Sequence, residues 1–233
     1  MGVMGEIEDI IKNPYSGINI SILATTIDFE QFKEMCESLF HSSSNFNDVE
    51  MLLKVDDLVN IDKYHEYLSR SIFKYKILIY PSFYKRMSCF HFYNDLYGIS
   101  SGKLIWAIGS DCGIAKGDWH KSLSKFINKK IYKDNIYNIA VPMDNGKGYK
   151  QICGINIVTR EWCEIMGCLS PLPNIDRWLS ELSKKIGRHQ HVEEDELLSH
   201  YPQGRRSLSK KQRKEIYRPM LVEAIKTFKK RLK

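Results

Sequence analysis

Apolar and polar positions along the chain follow two patterns. Short runs that are apolar almost throughout alternate with longer stretches in which apolar residues recur every three or four positions. The first pattern predicts strands covered on both faces, the second amphipathic helices. Ile18-Asn-Ile-Ser-Ile-Leu-Ala24 follows Pro14 and Gly17 and reads as a strand ending in the polar pair Thr25-Thr26. Asp28 then opens a helix with Phe29, Phe32, Met35, Cys36 and Leu39 on one face. The Ser/Asn cluster 42–47 is a loop, and Val49–Val55 is a second strand running into Asp56-Asp57. A short helix over 62–72, a strand over Lys76–Tyr80, a helix over 91–100 and a strand over 103–108 complete this half. Strand and helix in strict alternation predict βαβ units and a largely parallel sheet.

The fourth strand lies in Gly102-Lys-Leu-Ile-Trp-Ala-Ile-Gly-Ser-Asp111-Cys-Gly113 and stops at one carboxylate. Cys112-Gly113 does not open a helix, so capping accounts poorly for Asp111. The carboxyl edge of a parallel sheet is where ligands bind in such folds. Beyond Asp111, Asp118 caps a predicted helix through Phe126, Ile136–Val141 and Ile152–Val158 read as strands, and Gly146-Lys-Gly148 is a loop. Arg160–Met166 is a short helix. Asn174–Ile186 is a longer one, with Ile175, Trp178, Leu179, Leu182 and Ile186 on one face. Gly187 ends it beside Lys184, Lys185 and Arg188, as helix C-termini favour. From Ser207 the tail carries helix formers, interrupted by Pro219.

Composition narrows the class. With 233 residues, 43% hydrophobic and 12% aromatic, the chain suits one large domain or one domain with an appendage, and it can bury a substantial core. The start, Met1 to Asp9, has no apolar run of signal-peptide length, and no stretch reaches the length of a membrane span. Glu6 excludes myristoylation at Gly2. Six cysteines without a CxxC pair suit a reducing compartment, and the spacing of Cys163, Cys168 and the histidines is wrong for common zinc ribbons and fingers. The net charge of +7 is unevenly placed. Residues 203–233 hold twelve Lys or Arg and two Glu, a net of +10, which leaves −3 for residues 1–202. An acidic domain opposes a broad phosphate-binding face, so nucleic acid is not the expected partner.

Several segments together resemble a known family. Ile20-Ser-Ile-Leu-Ala-Thr-Thr26, Lys54-Val-Asp-Asp57 and the Gly102–Asp111 segment come first. They are followed by Gln151-Ile-Cys-Gly154, Arg160-Glu-Trp-Cys-Glu-Ile-Met-Gly167, Pro173-Asn-Ile-Asp176-Arg-Trp178, Gly187-Arg188 and His200. In order and spacing they resemble glycosyltransferases of the type A fold, near the large family 2, over about residues 18–202. The resemblance implies an α/β, Rossmann-like three-layer sandwich with a mostly parallel central sheet. Residues 1–202 would form the catalytic domain, with a nucleotide half over 18–113 and an acceptor half over 114–202. Residues 203–233 would form a basic helical tail.

The implied activity is metal-dependent transfer of a sugar, with inversion, from a nucleotide-diphosphate sugar to an acceptor hydroxyl. By resemblance Thr25, Thr26 and Asp57 face the nucleotide, with Asn94 and Lys103 near them. Asp111 and His200 hold Mn2+ or Mg2+, and Asp176 takes the acceptor proton. A divalent cation suits a dianionic leaving group, and a carboxylate base suits an attacking hydroxyl.

Local readings stand beside these. Asp56 and Asp57 can cap a helix, Asp176 suits a first turn by dipole alone, and His200 can be a surface histidine. Trp178 is read as core. His189 and His191 suit either a metal or a half-exposed strand. Ser110 stands where the family usually has another acid, which leaves open a weak or inactive domain that binds a nucleotide or partner. The acceptor would be a glycan, a lipid-linked sugar or a protein. The tail can pack on the domain or lie on an anionic membrane, placing the protein in the cytoplasm or peripherally on an inner membrane face. Truncation after Pro202 is then expected to spare the fold.

Overall fold

Strand β4 (Leu104–Gly109) is buried from Leu104 to Ile108 because helices cover both faces of the sheet it belongs to. The computed structural model describes residues 17–26, 28–55, 61–71, 74–79, 89–109, 112–114, 117–129, 131–141, 143–144, 150–151, 156–172, 175–192, 198–200 and 213–232. The other strands are β1 (Ile20–Thr26), β2 (Val49–Val55), β3 (Lys74–Ile79), β5 (Cys112–Ile114), β6 (Asn138–Ala140), β7 (Met143–Asp144), β8 (Lys150–Gln151), β9 (Asn156–Thr159), β10 (His189–His191) and β11 (Leu198–His200). The helices are α1 (Phe29–His41), α2 (Ile61–Ser69), α3 (Cys89–Gly98), α4 (Trp119–Lys129), α5 (Arg160–Met166), α6 (Ile175–Ile186) and α7 (Arg218–Arg231). A π-helical turn, Arg213–Tyr217, leads into α7.

Seven strands form the main sheet in the order β10-β6-β9-β4-β1-β2-β3. β4, β1, β2 and β3 are parallel, as the βαβ pattern predicts. β9 runs antiparallel to both β4 and β6, and β10 is parallel to β6. The sheet is mostly parallel, as the sequence reading has it, and the direction of β9 is what that reading left open. Ile157-Val158 looks the same in either direction, and only its pairing partners set its polarity. A second, smaller sheet has the order β5-β11-β7-β8.

Period-two alternation sorts the strand residues into two cores. Ile22, Met51, Leu53, Trp106 and Ile108 pack with Phe32 and Met35 of α1, Tyr64 and Leu68 of α2, and Trp119 and Leu123 of α4. Leu23, Leu52, Ile105 and Val158 face the other way. They meet Tyr93 and Leu96 of α3, Trp162 of α5, Trp178, Leu179 and Leu182 of α6, and Leu221 and Phe228 of α7. The result is the three-layer sandwich that the resemblance implies. α7 belongs to it: the Phe228 and Trp162 ring centroids are 4.5 Å apart, and Tyr217 meets Trp178 edge to face at 5.7 Å. Among the described residues, no helix is long and apolar enough to cross a membrane.

The amino edge of the sheet explains part of the sequence motif. The buried Glu50 carboxylate accepts from Ser21 Oγ (2.6 Å), Ser101 N (2.5 Å) and Ser101 Oγ (2.9 Å). Gly102 N donates to Ser21 Oγ, and a Cβ on Gly102 would come within 2.5 Å of Ser21 N. Only glycine lets these backbones approach so closely. Arg160 Nε donates to the Gly102 carbonyl, which ties α5 to the same corner.

Candidate functional site

The parallel strands β1, β2 and β4 end together. Thr25 is level with Lys54 on one side and with Gly109 on the other. This carboxyl edge is the natural ligand edge of an open α/β sheet. Thr25 Oγ1 donates to Tyr93 Oη at 3.3 Å, and Tyr93 Oη donates to the Ile108 carbonyl at 2.9 Å. Tyr93 therefore straps β1 to β4 just below the edge. On the same face the buried Lys54 ammonium lies 3.7 Å from the Phe92 ring centroid. Thr26 Oγ1 donates to the Asp28 carbonyl (2.7 Å) and accepts from Asp28 N (3.1 Å), while Asp28 Oδ1 caps α1 through Glu30 N and Gln31 N. These bonds fold the chain tightly from β1 into α1 and leave the turn at the edge.

Asp176 is exposed in the first turn of α6. Its carbonyl accepts from Asn156 Nδ2 at 3.0 Å. Because β9 is reversed, it begins at the carboxyl edge of β4: Ile157 pairs with Trp106, and Asn156 is one residue nearer that edge. The antiparallel strand thus brings α6 and Asp176 to the end of the sheet where Thr25 and Thr26 lie.

Asp57, Ser110, Asp111 and Asn174 lie outside the described residues, as does the side chain of His200. The backbone of His200 is described, and β11 pairs it with Cys112, the residue after Asp111. Directly opposed residues on antiparallel strands have Cα atoms about 4.5–5.5 Å apart. Positions far apart in sequence therefore meet on one short ladder.

Two expected residues stand elsewhere. Lys103 precedes the first residue of β4, and its carbonyl accepts from Arg160 N at 2.8 Å. At about 3.3 Å per residue, β4 separates it from the carboxyl edge by roughly 20 Å. Lys103 is at the wrong end of the strand to meet a ligand there. Asn94 uses both ends of its amide on the chain itself: it donates to the Ser170 carbonyl and accepts from Leu169 N and Ser170 N. It pins that segment to α3. Trp178 is fully buried core.

The histidine pair lies on β10. His189 Nδ1 is 2.7 Å from Ser183 Oγ, and burial, then His191 and Lys184, push the His189 pKa down to about 4. The ring is neutral and joined to α6. Among the described residues, no cluster of three or more His, Cys, Asp or Glu side chains is placed to hold a metal. Burial pushes the Cys36 and Cys163 thiols well above their ordinary value, which disqualifies both as thiolate nucleophiles.

Sequence reasoning passed over Tyr93, Asn138 and Asn156. The asparagines had a signal. Each interrupts an otherwise apolar run, in Ile136–Val141 and Ile155–Val158, and a polar side chain there must find a buried partner.

No protein-family model matches the sequence, and no curated protein matches it. Solved structures do match in fold. TarS of S. aureus (fragment 1–349) in complex with UDP-GlcNAc superposes with a TM-score of 0.60 at 12% identity, over 81% of this chain and 60% of that one. The mannosyltransferase PcManGT from Pyrobaculum calidifontis, in complex with GDP-Man and Mn2+, gives 0.61 at 8% identity, over 86% of this chain and 64% of that one. GalNAc-T7 with UDP, GalNAc and Mn2+ gives 0.58 at 10% identity, over 81% and 44%. At these identities the likeness establishes the fold, which is that of the type A glycosyltransferases. The chain spans about three fifths of the TarS fragment's length.

Proposed function

We propose that this chain transfers a sugar from a nucleotide-diphosphate sugar to an acceptor hydroxyl, with inversion. The observation that carries the reading is the convergence at one sheet edge. Thr25 and Thr26 end β1 there, and Asn156 holds the turn bearing Asp176 at the same end. Complexes of proteins sharing the fold with UDP-GlcNAc, GDP-Man and Mn2+ support a nucleotide-sugar donor and a divalent cation.

In this reading the β1–α1 turn and Asp57 receive the nucleotide. Asp111 and His200 are the residues that would hold Mn2+ or Mg2+; the carboxylate suits both ions, and the imidazole favours Mn2+ over the harder Mg2+. The pairing of His200 with Cys112, next to Asp111, supports their joint use. When bound, the cation supplies positive charge against the departing diphosphate. Asp176 accepts the proton of the attacking hydroxyl, which is the step a positioned carboxylate performs. The acceptor is a glycan, a lipid-linked sugar or a protein side chain. We place the protein in the cytoplasm, with the cationic outer face of α7 available to an anionic membrane surface.

The test has two arms. Nucleoside diphosphate should raise the melting temperature in the presence of Mn2+, and Asp111→Ala should abolish that metal-dependent gain. Asp176→Asn should keep donor binding and lower transfer by roughly 100-fold or more. Donor binding by the wild-type protein without any turnover would overturn the transfer reading. Full activity of Asp176→Asn would overturn the assignment of the base.

A further inference from the structure

A line of polar side chains runs beneath α6 in an otherwise apolar interface. His189 on β10, Asn138 on β6 and Asn156 on β9 project from the face of the sheet that α6 covers. His189 is level with Asn138, and Asn138 with Val158, two residues from Asn156. Asn138 and Asn156 are 0% and 2% exposed. Asn138 Nδ2 donates to Asn156 Oδ1 at 2.7 Å and to Ser183 Oγ at 3.1 Å, and Ser183 Oγ lies 2.7 Å from His189 Nδ1. Asn156 then spends an amide proton on the Asp176 carbonyl at 3.0 Å.

Stability alone does not call for this line. Ile175, Trp178, Leu179 and Leu182 already bury one face of α6 against the sheet. Burying amides gains little net free energy even when they are paired. Paired amides do provide direction. Apolar contacts tolerate a helix sliding along its axis by a fraction of an ångström, whereas hydrogen bonds near 2.7–3.1 Å weaken steeply with displacement. α6 is held at two points, the carbonyl of Asp176 and the hydroxyl of Ser183. These lie seven residues apart, roughly 10 Å along the axis. Two directional anchors at that spacing fix both the axial position and the tilt of the helix.

We infer that Asn156, backed by Asn138, Ser183 and His189, is a positioning residue that sets the axial register of α6 and thereby the place of Asp176 at the carboxyl edge. The inference rests on the reading of Asp176 as the base. A displacement of about 1 Å in a catalytic group can cost 100-fold in rate, so register at this helix matters more than its packing energy.

The experiment uses the full chain with Asn156→Leu, which keeps the branched shape and removes the hydrogen bonds to Asn138 and to the Asp176 carbonyl, and with Asn156→Ser, which keeps a short donor. Two readouts are taken: steady-state transfer, and amide hydrogen exchange in residues 175–179. For Asn156→Leu, kcat should fall roughly 10- to 100-fold with the donor KM unchanged within about twofold. Exchange in the first turn of α6 should rise about tenfold while β1 and β2 stay protected. Asn156→Ser should recover part of kcat. Unchanged exchange at 175–179 would overturn the inference, as would faster exchange with wild-type kcat. A fall in kcat matched by loss of donor affinity and of protection across the sheet would overturn it too, because that is general destabilisation. If the wild-type protein transfers no sugar, the function reading fails by itself, and the exchange readout still decides whether Asn156 holds the register.

Discussion

At the scale of single residues, the two edges of the sheet show two uses of buried polar groups. At the amino edge, Asp48 Oδ1 is 2.7 Å from His120 Nε2, and Asn19 Nδ2 donates to Asp48 Oδ2. Burial alone would raise the Asp48 pKa, but the hydrogen bonds from Asn19 and His120 outweigh it and hold the carboxyl below its ordinary value. Such a group stabilises the fold above the unfolded carboxylate pKa, and that contribution is lost as pH falls through the lower folded value. His189 acts in the same direction by another route. Burial, His191 and Lys184 lower its pKa from 6.5 to about 4, so the folded state resists a proton that the unfolded state takes up. Its penalty on folding is absent above pH 6.5 and grows as pH falls from 6.5 towards 4. Denaturant midpoints should therefore fall in two stages, first below about pH 6.5 and again in the carboxylate range. His189→Gln should remove the first stage, and persistence of that stage in the variant would refute the assignment. Asn138 and Asn156 stand out as polar residues within apolar runs, but the sequence could not say that they bond to each other or to α6.

At the scale of elements, the helices and parallel strands were legible because each carries its own periodicity. β2 spans Val49–Val55 and α5 spans Arg160–Met166 as the sequence alone indicates, and α6 ends at Ile186 as expected. What periodicity lacks is polarity and partner. The reversed β9 and the β5–β11 ladder depend on contacts between segments far apart in the chain, and both bear on the site. α7 shows the same limit. Its sequence left packing on the domain and lying on a membrane both open, and Leu221, Ala224 and Phe228 close the core over Trp162 and Trp178. Phe228→Ala should cost about 3–5 kcal/mol, as for other buried phenylalanines, measured as a lower denaturant midpoint with the m-value retained. Truncation after Pro202 should destabilise the domain, contrary to the sequence expectation, because it strips that cover from the core.

At the scale of the whole molecule, charge is segregated. Residues 1–202 carry −3 and the segment after them +10. The outer face of α7 keeps Arg218, Lys226, Lys229 and Lys230 in solvent beside the half-exposed Val222. Reversing Lys226, Lys229 and Lys230 to Glu should leave the melting temperature nearly unchanged and abolish salt-sensitive binding to anionic vesicles. Equal binding by the triple variant would sink the membrane proposal. The sequence by itself determined the two periodicities, the strand ends rich in acids and hydroxyls, the charged tail and the layered α/β class. These follow from local chemistry, since burial on one face or two imposes its own spacing. Chain order itself puts Lys103 at the amino end of β4, whereas tertiary structure alone tied the Asn94 amide to Leu169 and Ser170. It also reversed β9 and set His200 across from Cys112. Those are relations between distant segments, fixed by directional hydrogen bonds that no local pattern encodes.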